Sequence, residues 1–146
     1  IYNIFLRKIF ISSDHAGFSL KEKIVNHFKS KDFNFTDLGP YSKKRTDYPL
    51  YAHKLANKVV KNKDNVGILI CGSGTGMSMA ANKHKKIRAA QCFSLKSTKL
   101  SRLHNDANVI TLGSRLVSKN NALKFISTFL NTNFEGGRHL KRVKKI

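Results

Sequence analysis

The stretch VGILICGSGTGMSMAANK, residues 66–83, joins an apolar run to a glycine-rich loop and a segment of small residues. Residues 66–70 are short and apolar, which is typical of a buried strand, and residues 77–83 are typical of the first turns of a helix. Glycines at alternate positions between them allow a tight turn that leaves backbone N–H groups uncovered. Such a loop at a helix N-terminus is suited to binding an anion, and Cys71 stands at its entrance. We therefore expect an anion-binding loop beside an acid/base group.

The same alternation of strand and helix extends outward through the chain. The spacing of apolar residues predicts a helix after each strand, with Pro49 in the first turn of the second helix and Ser118 capping the last. This pattern is typical of a parallel sheet with helices on both faces. We predict one α/β, Rossmann-like domain over residues 1–146, with strand order 2-1-3-4-5 and a basic C-terminal tail at 133–146. The predicted strands are residues 7–11, 32–37, 66–70, 88–92 and 109–112.

This topology places a ligand-binding crevice between strands 1 and 3, at their carboxyl ends. The loop that leaves strand 1 contains Asp14 and His15, and the loop that leaves strand 3 is residues 71–76. Arg115 follows strand 5 and points to the same edge of the sheet. Topology alone therefore brings the most reactive segments of the chain to one site.

The glycine loop does not fit the two common nucleotide-binding patterns. A dinucleotide fingerprint needs glycine or alanine where Met77 stands, and an acidic residue about 20 positions on. No Asp or Glu occurs between Asp64 and Asp106. The Gly-Lys-Ser/Thr ending of a P-loop is also missing. The loop therefore favours a small anion, such as a phosphate or an enediolate.

Composition limits the other classes of function. The net charge of +20 permits nucleic-acid binding, but the basic residues are spread along the chain, without a base-reading helix or an aromatic platform. We expect a solvated basic surface that attracts anionic substrates, and no nucleic-acid partner. No apolar run approaches the ~20 residues that span a bilayer, so we expect no membrane partner. Two cysteines without a CxxC pair indicate a reducing, cytoplasmic location and argue against a zinc site, so we predict no metal ligands in this chain.

Five segments together resemble type B ribose-5-phosphate isomerase. They follow the order of that family across residues 8–142. The resemblance implies a metal-independent and cofactor-free interconversion of ribose 5-phosphate and ribulose 5-phosphate through an enediolate. It also implies a homodimer or a dimer of dimers, with active sites at the subunit interface. The segments are SSDHAGFSLK, RTDYP, GILICGSGTGMSMAANK, SRLHNDANVITLGSR and EGGRHLKR.

The resemblance also implies a role for each matching residue. Cys71 is similar to the base that shuttles the proton, and His104 to the acid/base that opens the sugar ring. Sugar contacts are implied for Asp14, Tyr48 and Asn105. The loop whose amides hold the enediolate oxygens corresponds to Gly72, Ser73, Gly74, Thr75 and Gly76. The phosphate ligands, some of them from the partner subunit, correspond to His15, Arg115, Arg138 and Arg142.

The sequence also permits other interpretations of these candidate site residues. Cys71 also fits a small buried hydrophobe, and Asp14 a helix cap. His104 also fits a polar turn, and the C-terminal arginines a basic tail. Two other functions stay open as well: a hexose-6-phosphate isomerase using the same site, as in the related galactose-6-phosphate isomerase subunits, and a basic nucleic-acid-binding protein. We expect Cys92, Met77 and Met79 to pack in the core, and His27, His53, His84 and His139 to be surface or packing residues.

Overall fold

The computed structural model describes residues 7–146, so residues 1–6 of the predicted domain lie outside the described range. Within that range, strands and helices alternate in the predicted order. No helix among these residues is long and apolar enough to cross a bilayer. The strands are β1 Ile9–Ser13, β2 Phe35–Asp37, β3 Val66–Cys71, β4 Ala89–Gln91 and β5 Val109–Gly113. The α-helices are α1 Phe18–Lys29, α2 Tyr48–Val59, α3 Thr75–Ala81, α4 Leu95–Asn105, α5 Lys119–Asn131 and α6 Leu140–Val143.

The five strands form one parallel sheet, which confirms the predicted fold class. The predicted order of the last two strands is wrong, because the observed order is β2-β1-β3-β5-β4. Every residue of β5 is buried, and five of its residues pair with β3. β4 has three partly exposed residues and lies at the edge. Strands buried on both faces belong inside a parallel sheet, and short strands suit its edges.

β3 separates the two halves of the core. Alternate side chains of a strand point to opposite faces of the sheet. Ile68 and Ile70 pack on the side covered by α1 and α5, whereas Leu69 and Cys71 pack on the side covered by α2 and α3. Cys71 therefore ends the central strand on the face that also carries the helix following the glycine loop.

Local signals in the sequence set several helix positions correctly. Pro49 lies in the first turn of α2, as predicted. Ser118 accepts a hydrogen bond from the Asn121 N–H at 3.2 Å, which confirms the predicted cap of α5. Met77 is buried, but Met79 is 66% exposed, so the predicted packing of Met79 is wrong. Two residues along a helix turn a side chain to nearly the opposite face, which here is away from the sheet.

A buried ion pair links α1 to β2. The Lys21 side chain is fully buried, and its Nζ donates to both carboxylate oxygens of Asp37 at 2.7 and 2.8 Å. Asp37 Oδ1 also accepts from the Gly39 N–H at 2.9 Å. The Gly39 carbonyl in turn accepts from the Ser12 hydroxyl of β1 at 2.7 Å. These contacts connect the ion pair to the strand end that carries Asp14.

We expect Asp37→Asn to lower the free energy of unfolding by about 3 kcal/mol, because it removes the nearer carboxylate from a buried ammonium and leaves it only Glu22, which is half exposed and 3.2 Å away. The amide oxygen of asparagine can still accept from Gly39, so the change isolates the charge. Lys21→Met removes the buried charge instead, while Asp37 keeps 21% of its side chain exposed. We therefore expect Lys21→Met to lower the free energy of unfolding by less than Asp37→Asn does. Urea unfolding measures both variants, and a larger decrease in Lys21→Met than in Asp37→Asn would contradict this account.

Candidate active site

The loop after β1 brings Asp14 beside the end of β3. The Asp14 N–H donates to the Ile70 carbonyl at 3.1 Å, which continues the pairing of β1 with β3. Its carboxylate accepts from the Gly17 N–H at 2.9 Å, and the residue is 7% exposed. Gly17 is itself the N-cap of α1, which has no side-chain cap, so Asp14 is not the helix cap that the sequence left open. His15 Nδ1 lies 3.2 Å from the Thr46 N–H nitrogen, in the segment before α2. These bonds hold Asp14 beside the end of β3 and use only one of its two carboxylate oxygens.

The loop after β3 turns its backbone toward Cys71. The Gly74 N–H donates to Cys71 Sγ at 3.1 Å, and Gly74 has a φ of +81° that favours glycine. Cys71 is 4% exposed, so its thiol is buried at the base of this loop. The first turn of α3 adds N–H groups that have no partner within the helix.

The loop after β5 closes on the loop after β3. The Ser114 N–H donates to the Cys71 carbonyl at 2.8 Å, and the Arg115 N–H donates to the Gly72 carbonyl at 3.0 Å. A Cβ added at Gly72 would lie 2.7 Å from Arg115 Nη1, so the guanidinium covers this glycine. Arg115 therefore lies at the predicted edge of the sheet and supplies positive charge beside the loop.

Two further side chains hold the loop from either side. The Tyr48 ring at the start of α2 covers Gly76, where an added Cβ would lie 2.6 Å from Tyr48 Cζ. The Gln91 side-chain amide donates to the Ser73 carbonyl at 2.7 Å and to the Thr75 hydroxyl at 2.9 Å. The sequence did not identify Gln91, because its role depends on how the edge strand β4 reaches across to the loop.

His104 and Asn105 lie at the opposite edge of the sheet. They end α4, which runs from the carboxyl end of β4 back toward the amino end of β5. Arg88, which precedes β4, donates to the carbonyl of Asp106 at 2.8 Å and so ties the end of α4 to the amino ends of the strands. Cys71 lies at the carboxyl ends. One chain therefore does not bring the predicted base and the predicted ring-opening group together.

The C-terminal tail packs beside His104. The Glu135 N–H donates to the Leu103 carbonyl at 3.1 Å. The His139 ring stacks on the His104 ring, with centroids 4.3 Å apart. Burial lowers the pKa of His139, and the neighbouring His104 and Arg138 lower it further. His139 was predicted to be a surface or packing residue, and its burial confirms the packing role. Nothing in the sequence pairs it with a side chain 35 positions away, so the stack on His104 was not predicted.

Arg138 and Arg142 extend from this tail. Arg138 lies in a 3-10 turn, Gly137–His139, and Arg142 lies in α6 directly after it. Both are exposed, whereas His139 between them is buried. The arginines thus share an edge with His104 rather than with Cys71 in the same chain.

Cys92 differs from Cys71 in its surroundings. It is 1% exposed and belongs to the other half of the core, which confirms the prediction that it packs there. Burial raises the pKa of the Cys92 thiol, and hydrogen bonds from Thr98 and Ser101 only partly oppose this. Cys92 is therefore held as a neutral thiol away from the glycine loop.

A family described as Ribose/Galactose Isomerase matches residues 9–146 in sequence. The chain belongs to this family. It is 51% identical over 140 residues to the probable ribose-5-phosphate isomerase B of Mycoplasma genitalium, covering 94% of this chain and 92% of that one. It is 45% identical over 141 residues to ribose-5-phosphate isomerase B of Escherichia coli, and the match covers 97% of this chain and 95% of that one.

Solved structures of family members share the fold. The M. genitalium ribose-5-phosphate isomerase B with bound ribulose-5-phosphate superposes with a TM-score of 0.92 at 48% identity, covering 96% of this chain and 93% of that one. A Thermotoga maritima ribose 5-phosphate isomerase superposes with a TM-score of 0.92 at 46% identity, and the match covers 94% of this chain and 95% of that one. The resemblance drawn from the five sequence segments is confirmed.

The contacts of the glycine loop predict a difference between two alanine substitutions. A Cβ added at Gly113 would lie 2.6 Å from the Ser73 carbonyl oxygen, so Gly113→Ala forces backbone apart. We expect it to lower the free energy of unfolding by about 1–3 kcal/mol. Gly72→Ala meets only the flexible end of Arg115 and should stay within about 0.5 kcal/mol of the parent. Thermal unfolding measures both, and equal losses would contradict the proposed backbone contact.

Proposed function

We propose that this protein interconverts ribose 5-phosphate and ribulose 5-phosphate by moving a proton between C1 and C2 of the open-chain sugar. The observation that carries the proposal is the position of Cys71, whose sulfur lies under the Gly74 amide at the carboxyl end of the central strand. Relatives at 45–51% identity bear the name of this activity, and one solved relative holds ribulose-5-phosphate.

Cys71 is the base in this proposal. Its thiolate removes the proton from C2 of ribose 5-phosphate and returns it to C1, while the proton of the C2 hydroxyl passes to O1. Atoms and electrons therefore balance without a second reactant. The intermediate enediolate carries negative charge on its oxygens, and the amides of residues 72–76 stabilise it. Asp14 and Tyr48, which border the same loop, bind the sugar hydroxyls.

His104 opens the sugar ring by carrying a proton between the ring oxygen and the anomeric hydroxyl. Since His104 and Cys71 lie at opposite edges of the sheet in one chain, His104 and Asn105 come from a partner subunit. Two copies related by a two-fold axis each lend this edge to the other, so each active site contains residues of both. The protein is therefore a homodimer, or a dimer of dimers.

Exposed apolar side chains support this assembly. Phe93, Leu95 and Leu116 follow the carboxyl ends of β4 and β5 and are 59%, 47% and 60% exposed. Met79 on α3 is 66% exposed. Large apolar side chains grouped around a functional loop are typical of a surface that a partner covers. A second copy that brings its His104 to this edge buries them.

Basic side chains from both subunits bind the phosphate. His15 and Arg115 lie at the edge with Cys71, and Arg138 and Arg142 arrive with His104 of the partner. Guanidinium groups suit phosphate because they bind its oxygens with two parallel N–H bonds. The net charge of +20 attracts the anionic substrate. The scarcity of cysteine supports work in the reducing cytoplasm.

The proposed function predicts isomerisation of ribose 5-phosphate in the presence of a chelator. The reaction should have a higher kcat/KM on ribose 5-phosphate than on a six-carbon aldose 6-phosphate, and both are followed by formation of the ketose. A preference for the six-carbon sugar would assign the protein to the galactose side of its family. Absence of turnover on both would overturn the proposal, and salt-sensitive binding in a gel shift would then favour a nucleic-acid partner.

Cys71→Ala should lower kcat by about 10²–10⁴-fold, the usual contribution of a general base, while leaving the fold intact. Cys92→Ala is the matched control, because it removes the other buried thiol and should keep kcat. Steady-state kinetics and thermal unfolding separate the two effects. Near-normal turnover in Cys71→Ala would remove the thiol from the mechanism.

Mixing two inactive variants tests whether sites are shared between subunits. Cys71→Ala and His104→Ala are unfolded and refolded together in equal amounts, which gives mixed dimers in about half of the pairs. Each mixed dimer has one site with both Cys71 and His104, so activity should return to about a quarter of the wild-type value. Refolding each variant alone is the control. No recovery in the mixture would place both residues in one chain.

A further inference from the structure

Three metal-binding side chains meet at the end of α4. His104, Glu135 and His139 each offer one ligand atom, and these atoms all lie within 4.8 Å of one another. Glu135 Oε2 lies 3.9 Å from His139 Nε2, and the two imidazole rings stack face to face. Backbone contact holds the group together, because the Glu135 N–H donates to the carbonyl of Leu103, next to His104.

The Nε2 atom of His139 is buried in this group without a hydrogen-bond partner among the described residues. His139 is 6% exposed, and its Nε2 makes no hydrogen bond within the described part of the chain. Buried ring nitrogens are ordinarily paired, and leaving one unpaired has an energetic cost. This nitrogen points toward the carboxylate of Glu135, which is 52% exposed and so opens the group to solvent.

The donor set suits a borderline transition-metal cation. Two imidazoles and one carboxylate are ligands that zinc takes in sites that keep a fourth position open. Arg138 and Arg142 repel a cation, so the affinity is weaker than that of a structural zinc site.

We propose that His104, Glu135 and His139 form a binding site for Zn²⁺, and that the bound ion inhibits the enzyme by occupying the imidazole of His104. The binding part of this proposal stands on the geometry alone. The inhibition part rests on the proposed function, in which His104 opens the sugar ring. The cysteine spacing that argued against a zinc site does not bear on this group, which contains no cysteine.

Calorimetric titration of the metal-free protein with Zn²⁺ tests binding directly. Cys71→Ala serves as the parent, so that the reactive thiol does not bind the ion. Glu135→Gln removes the carboxylate ligand, and His139→Phe removes a ligand nitrogen while keeping the ring stack on His104. Each should weaken binding by about tenfold or more. Thermal unfolding without metal checks that both variants fold.

A second histidine pair supplies the matched control. His53 Nδ1 lies 2.6 Å from His84 Nε2 on the opposite face of the molecule from α4. His53→Asn removes one of these imidazoles and should leave the inhibitory Zn²⁺ site unchanged. Loss of the calorimetric signal in His53→Asn, with Glu135→Gln and His139→Phe unaffected, would overturn the proposal. The proposal would also be overturned if all variants bound Zn²⁺ equally well, or if the Cys71→Ala parent bound no Zn²⁺.

Inhibition is measured as isomerase activity against Zn²⁺ concentration, with Cys71 restored. Glu135 has no role in the proposed reaction, so Glu135→Gln should keep the basal rate and need about tenfold more Zn²⁺ for half inhibition. Zinc sensitivity that is the same in Glu135→Gln and in the parent would overturn the inhibition part. If the protein does not isomerise ribose 5-phosphate at all, calorimetry still decides whether the site exists.

Discussion

Backbone packs directly against backbone where β1, β3 and β5 end, and the rest of the site depends on this close approach. A side chain at Gly17 would collide with the Ile70 carbonyl, and one at Gly113 with the carbonyl of Ser73. Because neither residue has a Cβ, three loops meet around Cys71 and exchange main-chain hydrogen bonds. Those bonds fix the amides of the loop before any ligand arrives, and preorganised donors stabilise developing charge most effectively.

The parallel topology also explains why the chemistry is divided between two edges. Each strand delivers its following loop to the carboxyl edge, and each helix returns the chain to the amino edge. Cys71 ends a strand, whereas His104 lies at the end of a helix, so one domain holds them apart. In the proposed homodimer, a two-fold axis would set the amino edge of one subunit against the carboxyl edge of the other and bring them together. Their separation within one chain follows from the fold, and the proposed shared site would overcome it.

Sequence reasoning succeeded where the information is local. The apolar run of β3, the proline of α2 and the cap at Ser118 each depend on a few neighbouring residues. It failed for the order of β4 and β5, because apolar spacing indicates a strand but not its pairing partner. Gln91 and His139 were missed for a related reason. Their contacts join segments that are distant in the chain, and neither a glutamine nor a histidine indicates by itself which distant residue it will contact.

The stacked histidines connect the two proposed roles of His104, ring opening and binding of an inhibitory Zn²⁺. An imidazole that carries protons near neutral pH must be close to its neutral form, accessible to the sugar and held in a fixed orientation. The stack on His139 supplies that orientation for His104, and a main-chain bond from the tail to the Leu103 carbonyl, which does not use the Glu135 side chain, holds the tail in place. An accessible and oriented imidazole is also what a zinc ion needs, and in the proposed site the same neighbours would provide the other ligands. The proposed reaction uses no metal, yet a zinc ion bound there would block it, because both depend on the same side chain of His104.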